Sequence, residues 1–86
     1  MEIRVGSKVR SIAGREKGYD FLVLKADTQY AYVADCRLRK VENPKKKKLT
    51  HLQASASLSA LVADKLEAGT APTNTEVRKA LAELNS

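Results

Sequence analysis

The first half of the chain alternates apolar and polar residues in short stretches that are typical of β-strands. The clearest stretch is Asp20–Ala26, in which apolar side chains occupy both faces. Because both faces are apolar, we expect a barrel interior to cover this strand on one side and a further element to cover the other. The two faces comprise Phe21, Val23 and Lys25, and Leu22, Leu24 and Ala26.

Three more short segments carry the same kind of pattern, at residues 8–13, 29–34 and 37–41. Turn signals at Asp27-Thr28 and Asp35-Cys36 separate them. Residues 49–52 could add a closing strand, because a small sheet needs its edges covered. The pattern predicts a mainly β fold, a small antiparallel barrel or curled sheet.

From Ala54 onward the pattern changes to helical spacing. One stripe ends before Gly69, a residue type that commonly stops helices. A second stripe follows Thr73, which with Glu76 forms a capping-box pattern. Neither helix is long enough to be stable alone, so we expect both to dock on the strand Asp20–Ala26, on each other or on a protein partner. The stripes are Leu58, Leu61, Val62 and Leu66, and Val77, Ala80, Leu81 and Leu84.

These patterns divide the chain into a barrel region, residues 1–53, and a C-terminal helical extension, residues 54–86. The net charge of the chain, +6, comes from the first region, which has 13 lysines and arginines against 6 acidic residues and therefore carries +7. The extension has 3 lysines and arginines against 4 acidic residues. Such asymmetry indicates a polyanionic partner for the first region. No amphipathic basic helix accompanies the charge, so we expect no membrane partner.

The first hairpin turn concentrates this charge between two glycines. Arg15 and Lys17 lie between Gly14 and Gly18. Glycine at both edges indicates a backbone with positive φ or one that approaches a ligand closely. A cationic tip on a rigid hairpin suits a phosphate backbone better than a small substrate.

The turn and several later pieces together resemble a known family. The sequence is similar to the KOW motif of RNA-binding SH3-like barrels, over roughly residues 3–53. Phe21 replaces a glycine of the wider motif, which brings the chain closer to the large-subunit ribosomal proteins of archaea and eukaryotes and their small bacterial relatives. Cys36 stands where that branch usually has glycine. The matching pieces are Val9, Gly14-Arg15-Glu16-Lys17-Gly18 with Ala13 before it, Val23, Val33-Ala34-Asp35, Leu38-Arg39, Asn43-Pro44-Lys45-Lys46-Lys47 and His51-Leu52.

The resemblance implies that the first hairpin loop and the basic surface beside it hold structured RNA, commonly ribosomal RNA. Phosphate contacts of this kind position RNA without reading its sequence. We expect the lysine run to be a solvated strip, and Tyr19 to stack on an unpaired base. Tyr30 and Tyr32 are expected to pack, under the C-terminal helices. The candidate RNA contacts are Arg15, Lys17, Tyr19, Arg37, Arg39, Lys45, Lys46, Lys47 and Lys48, with Gly14 and Gly18 as turn residues.

Two other classes of function are weighed against RNA binding. One is an SH3-like protein-interaction module, or an adaptor that binds a protein through residues 54–86. The other is an enzyme, but Cys36 and His51 are single residues with no orienting partner in the pattern. They are also too few for a metal site, so we expect no metal and no cofactor. A single cysteine and the lack of an apolar leader favour a reducing, cytoplasmic location.

Overall fold

A computed structural model describes residues 3–85 of the chain. Its elements follow one another with short connections, and a single turn of 3-10 helix, Leu49–His51, joins the fourth strand to the fifth. The strands are β1 (Ser7–Ser11), β2 (Asp20–Ala26), β3 (Tyr30–Ala34), β4 (Lys45–Lys48) and β5 (Leu52–Leu58), and the helices are α1 (Ala60–Glu67) and α2 (Asn74–Leu84). The prediction of a mainly β fold with two C-terminal helices is confirmed. No helix within residues 3–85 has the length and apolar character needed to cross a bilayer.

All five strands form one antiparallel sheet in the order β4-β3-β2-β1-β5. Laid flat, its two outer strands would be about 19 Å apart. The three residues between β4 and β5 can span at most about 14 Å. The sheet therefore curls, although the strand pairing among residues 3–85 leaves β4 and β5 as separate edges, so the sheet is not closed.

The concave side of the curled sheet holds the first hydrophobic core, to which β1, β2, β3 and β5 all contribute. A shift of register in the β2–β3 ladder between Val23 and Lys25 changes which β2 residues reach this core. Lys25 is exposed, and Ala26 packs against the core instead, so the predicted assignment of these two residues to faces is wrong. The core consists of Val9, Phe21, Val23, Ala31, Val33 and Leu52.

The convex side of β2 carries the second core, and the two helices cover it. Leu22 is fully buried there against the apolar faces of both helices. The prediction that β2 is covered on both sides, with the C-terminal helices as the second cover, is confirmed. The buried residues are Leu22, Val62, Val77, Ala80 and Leu81.

Side-chain caps fix where the two helices begin. The Ser59 hydroxyl accepts a hydrogen bond from the Val62 backbone N–H at the start of α1. Thr73 and Glu76 form the predicted capping box at the start of α2. Gly69 follows α1 with a φ of 80°, as predicted for a residue that ends a helix.

Three predicted elements are wrong. The closing strand expected at residues 49–52 is a turn of 3-10 helix over Leu49–His51, and only Leu52 of that segment lies in a strand. Residues 37–41 form a turn and not a strand, because the buried Asp35 carboxylate accepts the backbone N–H groups of Arg37 and Arg39. Residues 52–58 form β5, although the helical stripe was expected to start at Leu58. Ala and Ser favour strands weakly, but pairing with β1 overrides that preference. The boundary placed after residue 53 consequently falls inside β5.

Candidate nucleic-acid interface

The loop between β1 and β2 is a tight, internally bonded turn. Gly14 and Gly18 have φ angles of 80° and 92°, as the sequence indicated. The Gly18 N–H donates to the Ser11 carbonyl at 2.7 Å, and the Lys17 N–H donates to the Gly14 carbonyl at 3.3 Å. A Cβ atom built on either glycine would meet nothing within 4 Å. The two glycines are therefore required by backbone conformation and not by packing, and they leave the tip of the loop open.

The lysine run forms β4, so its side chains alternate between the two faces of the sheet. Lys47 lies opposite Ala31 of the concave core and is only 7% exposed. Its ammonium group donates to Ser11 Oγ at 2.7 Å, to the Ala13 carbonyl at 3.3 Å and to Glu16 Oε1 at 3.1 Å. The expectation that all four lysines are solvated is wrong for Lys47, because these three acceptors use all three of its donors.

The anchor formed by Lys47 brings the hairpin loop alongside β4. Between them lies an open groove of about 460 Å³, which we call the lysine groove. Among residues 3–85, no carboxylate forms an ion pair with Arg15, Lys46 or Lys48. The groove is therefore strongly cationic at its rim. Its lining comprises Ala13, Gly14, Arg15, Glu16, Tyr30, Lys45, Lys46, Lys47, Lys48 and His51.

Glu16 is the one acidic residue among those that line this groove, and the cations around it stabilise its ionised form. The hydrogen bond from Lys47 lowers the pKa of the Glu16 carboxyl below its ordinary value, and the charges of Lys45 and Arg39 act in the same direction. Partial burial opposes them. No local pattern indicates this pairing, because Glu16 and Lys47 are 31 positions apart in the sequence.

The remaining candidate RNA-binding residues lie at different places around the hairpin loop. Arg39 lies within electrostatic reach of Glu16, whereas Arg37 lines a different groove together with Tyr19. The two arginines belong to the turn after β3 and not to the strand expected at residues 37–41, so no strand places them on a common face. Lys17 is exposed at the loop tip and lines neither groove.

Tyr30 and Tyr32 lie on the outer face of the sheet and not beneath the helices. The Lys46 ammonium is 4.4 Å from the centroid of the Tyr30 ring, and the Lys25 ammonium is 5.9 Å from that of Tyr32. Neither tyrosine belongs to the two hydrophobic cores. Both rings therefore support lysine side chains at the surface, through cation–π contacts.

Two basic residues of β1, Lys8 and Arg10, are paired with a carboxylate. The Arg10 guanidinium lies 2.9 Å from the Asp20 carboxylate, and the Lys8 ammonium lies 3.9 Å from it.

Burial raises the pKa of the Cys36 thiol above its ordinary value. Within the described chain, no group of three or more His, Cys, Asp or Glu residues could hold a metal ion.

Neither a protein-family model nor a curated protein matches this sequence. The geometry of the grooves and the resemblance of the first 53 residues are therefore the grounds for assigning a function.

Proposed function

We propose that this protein binds structured RNA, and that its five-stranded sheet, which extends to Leu58, is an SH3-like barrel of the KOW type. The partner we infer is ribosomal RNA or a ribosomal subunit, and the location is the cytoplasm. In this proposal the lysine groove holds the phosphate backbone. The contacts are electrostatic, so they position the RNA without reading its bases.

The observation that carries the proposal is the set of unpaired cations along the lysine groove. Arg15 from the loop and Lys46 and Lys48 from β4 border one open surface and form no ion pair with a carboxylate among residues 3–85. Basic residues on a soluble surface are normally interspersed with acidic ones. Here the one acidic residue of the groove, Glu16, is already bound to the buried Lys47. The free charge is consequently available to a polyanion.

The architecture supports the KOW assignment in three ways. The Ala13-Gly14-Arg15 piece forms the loop between β1 and β2, where the resemblance requires a turn. The curled five-stranded sheet agrees with a small barrel. Cys36, which replaces a glycine of that branch, has a φ of 62°, a conformation in which glycine is the favoured residue.

The alternative of an adaptor that binds a protein through residues 54–86 has less support. Val62, Val77 and Leu81 are buried against Leu22 within the same chain. Those side chains are therefore already occupied, whereas Leu61 of the expected α1 stripe is 57% exposed. We assign the helices the role of completing the fold, by covering the convex face of β2.

The proposal is tested by co-sedimentation of the protein with ribosomal subunits, together with direct binding to purified large-subunit ribosomal RNA. We expect a dissociation constant tighter than about 1 µM at physiological salt, since non-specific binding is weaker than this. Affinity should fall steeply between about 50 and 200 mM salt. Binding that is weaker than micromolar, or that survives high salt unchanged, would contradict the proposal.

A further inference from the structure

A second groove is lined by the end of the hairpin loop at Gly18 and Tyr19, whereas the residues before them line the lysine groove. It encloses about 290 Å³, and the second half of the loop, the turn after β3 and helix α2 line it together. We call it the Tyr19 groove. Its lining comprises Gly18, Tyr19, Asp20, Asp35, Arg37, Arg78, Leu81 and Asn85.

Tyr19 is an exposed aromatic residue at the mouth of this groove. Its side chain is 48% exposed, although the buried part of β2 begins only two residues later, at Phe21. The tyrosines on β3 lie under lysine ammonium groups, but no cation–π contact involves Tyr19 among the described residues. An exposed aromatic ring beside a cationic surface is a platform on which an unpaired base can stack.

Two carboxylates and two guanidinium groups line the groove, and among the described residues only the carboxylates have partners. Asp20 is paired with Arg10 at 2.9 Å, and one oxygen of Asp35 accepts two backbone N–H groups of its own turn. Both carboxylates therefore have partners. The guanidinium groups of Arg37 and Arg78 have no hydrogen-bond or ion-pair partner within residues 3–85.

Both arginines are carried by rigid supports. The hydrogen bonds to the buried Asp35 fix the turn that holds Arg37. Arg78 follows Val77 on α2, and both Val77 and Leu81 are buried against β2. Helix α2 thus places a cation beside the hairpin loop, and a guanidinium is suited to binding phosphate through two hydrogen bonds.

We propose that the Tyr19 groove binds one unpaired nucleotide, with its base stacked on Tyr19 and its phosphate held by Arg37 and Arg78. This inference rests on the proposed function. The lysine groove would hold the phosphates of the adjoining paired segment at the same time. The preferred RNA is then a helix interrupted by a bulge, and the C-terminal region takes part in RNA binding through Arg78.

The test compares two RNA hairpins that differ only in a single-nucleotide bulge. Wild-type protein should bind the bulged hairpin about fivefold to 150-fold more tightly, the range expected for stacking one base. Tyr19→Ala should abolish this preference, whereas Tyr19→Phe should keep it. Arg78→Ala should weaken binding of the bulged hairpin only. Lys79→Ala removes the same charge from the next residue of α2, outside the groove, and should leave the preference unchanged.

The outcomes separate this inference from the proposed function. If the wild type binds both hairpins equally and in a salt-dependent way, the inference about the Tyr19 groove is wrong, whereas the proposed role of the lysine groove is retained. If the wild type binds neither hairpin and does not bind ribosomal RNA, both the inference about the Tyr19 groove and the proposed function are wrong. If Tyr19→Ala does not fold, as judged by its thermal melt, the preference for the bulged hairpin is compared between Arg78→Ala and Lys79→Ala instead. If both arginine and lysine variants lose the preference for the bulged hairpin, the effect is one of general charge and the inference about the Tyr19 groove is wrong.

Discussion

The Lys47 ammonium lies 3.1 Å from the Glu16 carboxylate, and this contact joins β4 to the hairpin loop between β1 and β2. Both groups are largely shielded from solvent. The same ammonium also holds Ser11 and the Ala13 carbonyl at the base of the loop. One lysine of a run of four is thus structural, and it brings its neighbours to the loop that carries Arg15.

Lys47 and Lys48 should differ sharply when each is changed to alanine. We expect Lys47→Ala to lower the free energy of unfolding by about 3 kcal/mol, the low end for breaking a buried pair, because Glu16 keeps some contact with solvent. Lys48→Ala removes an exposed charge and should change stability by less than about 0.5 kcal/mol. Urea denaturation measures both values. Similar losses for the two variants would show that Lys47 is not an anchor.

The Glu16–Lys47 pair makes stability depend on pH in a defined direction. The pKa of Glu16 is lowered in the folded chain, so its contribution is complete above the ordinary value of 4.5 and disappears as the pH falls through the lower folded value. Wild-type protein should be more stable than Glu16→Gln at neutral pH. The gap should close as the pH drops below 4.5. A gap that is independent of pH in urea titrations would contradict the ion pair.

Cys36 has a positive φ of 62°, which costs a residue with a Cβ atom free energy. Cys36→Gly should raise the free energy of unfolding by about 0.5–1 kcal/mol, after allowing for the extra freedom of glycine in the unfolded chain. Cys36→Ala is the matched control, because it removes the thiol and keeps the Cβ. If the alanine variant gains as much stability as the glycine variant, the backbone conformation is not the cause.

Gly6 and Gly14 both have positive φ, but only Gly6 is closely packed. A Cβ on Gly6 would lie 2.7 Å from the Ala63 Cβ of α1, whereas the space around Gly14 is open. Gly14→Ala should cost about 1–2 kcal/mol for the backbone alone. Gly6→Ala should cost about 1–3 kcal/mol more, because the helix must move away. Equal melting temperatures for the two variants would mean that α1 does not rest on Gly6.

The sequence predicted the parts of the fold that depend on local pattern. Apolar residues on both faces of β2 indicated two layers of cover, and the Thr73–Glu76 pair marked the start of α2. Gly14 and Gly18 indicated a turn with positive φ. Each of these signals lies within a few residues of the feature that it predicts.

The missed features depend on contacts between distant residues. Lys47 is buried because β4 pairs with β3 in a register that points it at Ser11, 36 positions away. Residues 52–58 become a strand only because β1 lies beside them. Arg78 reaches the hairpin loop only because α2 docks on β2. Local pattern holds no information on these pairings, so the composition of each groove could not be predicted.

The salt dependence of binding to large-subunit ribosomal RNA decides whether the lysine groove is the RNA-binding surface. The decisive variant changes Lys45, Lys46 and Lys48 to glutamine and retains the Lys47 anchor. A control variant changes Arg4, Lys40 and Lys79 to glutamine, which removes the same net charge from exposed positions outside both grooves.

We expect the groove variant to keep wild-type stability and to lose about 0.7–0.9 of the log–log salt slope for each phosphate contact removed. The control variant should retain most of the wild-type slope. If both variants lose slope and affinity equally, or if neither does, the lysine groove is not the RNA-binding surface.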